Sequence, residues 1–83
     1  MTTLNDKDVR HLISKQFEIA GIDKTYDDVL GNDNWYDEDV ITEEQEHEFY
    51  NYLLTYFRKK RLNKTYAKRF TNMFILMWGL RRK

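Results

Sequence analysis

Val9, Leu12, Ile13, Phe17 and Ala20 recur at steps of three and four, the spacing that gathers side chains on one face of an α-helix. Asn5 stands where an N-cap belongs, Asp6 and Asp8 occupy the first turn at the positive end of the helix dipole, and Gly21 follows as a C-cap. The pattern predicts an amphipathic helix of about four turns. Thr25-Tyr26-Asp27-Asp28 fits a capping box loosely, with Tyr26, Val29 and Leu30 on one side and Gly31 as the stop, so a second helix of one or two turns is expected. From Asn32 to Val40, Asn and Asp surround Trp35 and Tyr36. Their side chains compete for backbone hydrogen bonds, which favours an irregular loop pinned to the core by the two aromatics.

A better capping box, Thr42 to Gln45, opens the next helix, whose apolar stripe runs through Phe49, Tyr52, Leu53, Tyr56 and Phe57 and should stop near Lys60 or Arg61. Tyr50 and Leu54 widen that stripe enough to touch more than one neighbour, the mark of a central helix. After a short turn at Leu62 and Asn63, the last helix carries Ala67, Phe70, Thr71, Phe74 and Trp78 on one face. A second stripe, Tyr66, Phe70, Met73, Met77 and Leu80, runs beside it. Tyr66 is expected in the core on this ground. From Met73 onward the helix is apolar all round, which implies cover on several sides, by the bundle or by another chain. Gly79 then precedes an Arg81-Arg82-Lys83 tail expected in solvent. Nothing alternates with period two, and no repeat is visible. The expected fold is all-α, a compact bundle of three long helices plus one short helix, with residues 1–83 forming a single helical domain.

Composition limits what such a domain can house. Folded chains of 83 residues bury only about 60–65% of the surface their unfolded forms expose, so a deep pocket would compete with the core for volume. Thirteen aromatic residues offset this, each able to remove about 150–250 Å² from water. There is no Cys, which excludes disulfides and thiolate metal sites. The longest apolar run, Met73 to Trp78, is six residues against the ~20 that span a bilayer, and the N-terminus lacks the pattern of a signal peptide. A cytoplasmic protein without membrane association is expected.

Charge changes the picture more than composition does. The formal net charge is zero, yet all fourteen acids lie at or before Glu48, alongside only Lys7, Arg10, Lys15 and Lys24, a balance of −10; residues 49–83 hold ten bases and no acid. The basic cluster Arg58, Lys59, Lys60, Arg61, Lys64, Lys68 and Arg69 spans the turn between the last two helices. Bases in a final turn complement the helix dipole, but Lys64 and Lys68 sit in first turns, where N–H groups already attract anions. That concentration makes the cluster a candidate anion or nucleic-acid site, against a solvated face or a partner for the acidic half.

Asp27 to Glu48 carries ten carboxylates and no base. Asp33, Trp35, Tyr36, Asp37, Glu38, Asp39, Glu43 and Glu44 are the candidate protein-docking residues, an acidic face able to occupy a basic groove elsewhere. The plainer reading is that these acids cap helices and keep an aromatic-rich chain in solution. Trp35 and Tyr36 likewise serve either as interface anchors or, the favoured reading, as core closure. A calcium loop is disfavoured, because Asp33, Asp37 and Asp39 lack the Gly and Glu of an EF-hand register. His47-Glu48 begins like a zinc-protease motif, but Asn51 stands where the second His belongs. His11 and His47 fall off the apolar stripes and are read as surface residues. No nucleophile is paired with a base and no cofactor motif is present, so no catalytic, cofactor or metal residue is assigned and no enzyme is expected.

Trp35, Thr42-Glu43-Glu44-Gln45, Phe49, Lys59-Lys60, Ala67, Met73-Phe74 and Gly79-Leu80-Arg81 together resemble a pattern in small uncharacterised helical proteins of tailed bacteriophages, over residues 33–81. The resemblance carries over no activity and no site residue. It implies action in the infected bacterial cytoplasm or in the particle. The expected function is therefore a non-enzymatic interaction protein that binds another protein through a charged face or its apolar C-terminal helix, with homo-oligomerisation as one form of that binding. A nucleic-acid-binding protein using the basic cluster is the alternative.

Overall fold

The computed structural model describes residues 4–29, 31 and 39–82. Helix α1 (Asp6–Ala20) starts as its sequence dictates: the Asn5 side chain accepts from the Asp8 N–H at 2.9 Å, and the Asp8 carboxylate accepts from the Asn5 N–H at 3.2 Å. It ends on Gly21 at φ 73°, the left-handed conformation that glycine adopts without steric cost; the Gly21 N–H donates to Glu18 and the Ile22 N–H to Phe17. Helix α2 (Tyr26–Val29) is a single turn, anchored by the Thr25 N–H donating to Asp28 at 2.7 Å and the Tyr26 N–H to Ser14 Oγ at 3.0 Å. Strand β1 (Val40–Ile41) leads into helix α3 (Glu43–Lys59), capped reciprocally by Thr42 and Gln45. Helix α4 (Lys64–Trp78) follows, with the Asn63 side chain accepting from the Tyr66 N–H, and strand β2 (Arg81–Arg82) lies beyond it. Among the described residues the fold is an all-α bundle of three long helices and one short one.

The turn between α3 and α4 reverses the chain in four residues, and Arg61 takes the left-handed position at φ 67° that glycine usually fills. For an L-residue that conformation costs about 1–2 kcal/mol. The tail departs from expectation: Arg81 and Arg82 pair in parallel with Val40 and Ile41, although their side chains are exposed. Two residues are too few for a period-two pattern to register in a sequence.

Helix α3 is central and packs against both α1 and α4. The core comprises Leu12, Ile13 and Phe17 of α1, Val29, Ile41, then Phe49, Leu53 and Phe57 of α3, Ala67 and Phe74 of α4, and Leu80. Phe49 meets Phe74 edge-on with ring centres 6.0 Å apart, an arrangement that adds to simple burial. Small Ala67 and Thr71, both fully buried, let α4 approach its neighbours closely; the Thr71 hydroxyl is satisfied by donating to the Ala67 carbonyl at 2.8 Å.

Leu80 enters the core through a polar clamp. Gln16, 1% exposed, accepts from the Leu80 N–H at 2.8 Å and donates to the Trp78 carbonyl at 3.0 Å. Both halves of one buried amide are thus used, and no buried side-chain polar atom among the described residues lacks a partner. Gly79 is not a left-handed cap. Its φ is −70°, and what demands glycine is proximity: a Cβ would lie 2.4 Å from the Ile75 carbonyl oxygen.

Candidate protein-docking face

Each α-helical residue turns by about 100°, so the two apolar stripes expected on α4 cannot both face the bundle. Packing selects the stripe centred on Ala67, Thr71 and Phe74. The other is left largely outside, with Leu76 beside it: Tyr66 and Met73 are each 52% exposed, Met77 56% and Leu76 87%. The expectation that Tyr66 packs in the core is therefore overturned, and of the two covers expected for the segment from Met73 onward the bundle does not supply one for Met73, Leu76 and Met77. Phe70 and Leu80, the remaining members of that stripe, are half-buried and buried. Arg69 projects among the exposed apolar residues, one turn before Met73. The face spans about 16 Å from Tyr66 to Met77, at a rise of about 1.5 Å per residue.

The basic candidates divide around this face. Lys60 is spent inside the fold, its Nζ 2.7 Å from buried Asp8 and 5.5 Å from the centre of the Tyr56 ring. Arg58, Lys59, Arg61, Lys64, Lys68 and Arg69 are exposed, and none pairs with a carboxylate among the described residues. In the acidic half, by contrast, Arg10 pairs with Asp27, Lys15 with Glu18 and Lys24 with Asp39. The two halves meet through Lys60–Asp8 and Arg82–Glu46, the latter at 3.6 Å. Unneutralised positive charge consequently collects on α4 and the turn before it.

The acidic candidates do not assemble into one described surface. Asp33, Trp35, Tyr36, Asp37 and Glu38 lie outside the described residues. Asp39 is half-buried and bound to Lys24 at 2.7 Å. Glu43 and Glu44 are exposed in the first turn of α3, where they complement its dipole.

Sequence reasoning missed a polar chain between α1 and α3. Tyr56 and Lys60 both donate to Asp8, and exposed His11 bonds Tyr52 through Nε2 at 2.7 Å while stacking on Tyr56. Burial alone would raise the Asp8 pKa; hydrogen bonds from Lys60, Tyr56 and the Asn5 N–H outweigh it and hold the carboxyl below its usual range. Burial and the hydrogen bond to Asp8 push the Tyr56 hydroxyl up to about 12. Asp8 is therefore ionised and Tyr56 neutral near pH 7, and their bond ties two helices. The four-residue step from Tyr52 to Tyr56 to Lys60, set against Asp8 and His11 three residues apart, is the signal that could have exposed it.

A depression of about 350 Å³ opens beside His47, lined by Glu43, Glu46, Tyr50, Asn51 and Arg82. No group of three His, Asp or Glu among the described residues is arranged to hold a metal ion. No described helix is long and apolar enough to cross a membrane. No protein-family model, curated protein or solved structure matches the chain.

Proposed function

We propose that this is a small interaction protein without catalytic activity of its own, and that α4 is its docking element. The observation that carries this reading is the outward stripe Tyr66, Met73, Leu76 and Met77, with Leu76 87% exposed. Large apolar side chains gathered on one helix face are characteristic of surfaces covered by a partner, and Tyr, Met and Arg are types enriched in interface centres. The resemblance to small phage proteins is compatible with a bacterial cytoplasmic setting. Leu76→Glu combined with Met77→Glu should abolish capture of partner proteins from a bacterial lysate while the circular dichroism spectrum stays unchanged. Identical capture by both forms would remove α4 as the docking element.

A second reading has its own support, because exposed Tyr66 shares a face of α4 with Arg69 while Lys64 and Lys68, which pair with no described carboxylate, add charge at the same end of the helix, a combination suited to stacking a base and contacting phosphates. Fluorescence anisotropy with a mixed-sequence oligonucleotide tests it. Binding that falls with salt and vanishes in Lys64→Glu/Lys68→Glu supports nucleic-acid recognition, and absence of binding at low salt rejects it.

A further inference from the structure

Resting on the docking role of α4, we infer that its partner presents an acidic amphipathic helix, a stripe of apolar side chains flanked by Asp or Glu. The inference follows from charge. Lys64–Trp78 contains no acid, and Lys64, Lys68 and Arg69 have no carboxylate partner among the described residues. Arg69 lies within the apolar stripe rather than at its margin, so any partner that covers Met73 and Leu76 also covers the guanidinium. Covering it without a carboxylate would leave a desolvated charge unpaired, which is costly. A carboxylate beside the partner's apolar residues answers that charge with two parallel hydrogen bonds.

Other occupants fit less well. A second copy packed through α4 brings no acid from that helix in either orientation, and packed parallel it sets Arg69 against Arg69. A bilayer surface would force Arg69 below the headgroups along with Met73 and Leu76, whereas interfacial helices keep their charges on the opposite face. Oligonucleotide phosphates would satisfy Lys64, Lys68 and Arg69 but leave Leu76 and Met77 in water.

The full chain, immobilised, is used to select from a displayed library of helical peptides with apolar residues fixed at i, i+3, i+4 and i+7 and every other position free. Enriched peptides should carry Asp or Glu beside the apolar stripe. Their synthetic forms, followed by anisotropy, should bind Arg69→Glu and Leu76→Glu roughly tenfold more weakly. Enriched peptides that are neutral or basic, but still lost with Leu76→Glu, overturn the acidic partner and leave α4 as a docking element. No enrichment, or enrichment indifferent to Leu76→Glu, defeats both readings. A Leu76-dependent dimer in light scattering, Leu76-dependent sedimentation with phosphatidylglycerol vesicles, or an oligonucleotide that displaces the peptides each overturns the inference in favour of that occupant. Leu76 is 87% exposed, so its substitution tests binding without disturbing the core.

Discussion

Replacing Asp8 with Asn keeps the shape of the side chain and one carbonyl acceptor while removing its charge. In the native fold that carboxylate, 4% exposed, accepts from Tyr56, from Lys60 and from the Asn5 N–H. The Lys60 side chain is 30% exposed, so its ion pair is partly screened and contributes about 0.5–1 kcal/mol. Loss of charge assistance in the Tyr56 bond costs about 1 kcal/mol more. The variant should therefore be about 2 kcal/mol less stable at pH 7, a fall in Tm of about 8–16 °C for a domain of this size. Because folding lowers the Asp8 pKa, its contribution is present above the unfolded value of about 3.9 and is lost as pH falls through the folded value. The stability gap between wild type and Asp8→Asn in urea denaturation should narrow as pH falls from 7 to 3. At the alkaline end the sign reverses: Tyr56 is raised to about 12, so the stability tied to its neutral hydroxyl is present below the unfolded pKa of about 10 and is lost as pH climbs through 12. An equal stability gap at pH 3 and pH 7 would refute the assignment of the effect to the charge.

Gln16→Leu leaves the Leu80 N–H and the Trp78 carbonyl without their buried partner and should cost about 2–4 kcal/mol. Hydrogen exchange at Leu80 should accelerate more than at Phe49, and unchanged Leu80 protection would show that the clamp does not hold the tail. Gly79→Ala is compatible with φ −70° but sets a methyl 2.4 Å from the Ile75 carbonyl oxygen. The forced shift should destabilise by about 1–3 kcal/mol in thermal denaturation, and an unaltered Tm would mean the tail swings freely.

The all-α class and the starts of α1 and α3 were legible because they rest on local chemistry: Asn5 and Thr42 each cap through a side chain three residues from its target, as Asn63 also does although its sequence setting suggests only a turn. Gly21 was legible for the same reason. Gly79 was not, since the need for glycine there arises from a carbonyl four residues earlier rather than from its own φ. Arg61 hides a left-handed turn behind a residue type that rarely adopts one. The outward face of α4 was half visible. Its apolar residues could be counted, but which stripe turns inward depends on how Ala67 and Thr71 fit the bundle, a property of three dimensions. Lys60 shows the reverse limit, standing in sequence as one more member of a basic cluster and in the fold as the partner of Asp8. Gln16 carried no signal at all, because its partners lie 62 and 64 residues away.

That separation orders events during synthesis. Helix α1 is made well before Leu80, so the buried Gln16 amide stays without its acceptor contact until a residue 64 positions later reaches it. A nascent chain lacking that residue must leave the core incomplete and the Gln16 amide half satisfied, however well its individual helices are capped. Sequence-distant closure of this kind slows folding relative to a bundle joined only by neighbouring helices. Until Leu80 has been made and docked, the core it completes stays open to chaperones and proteases.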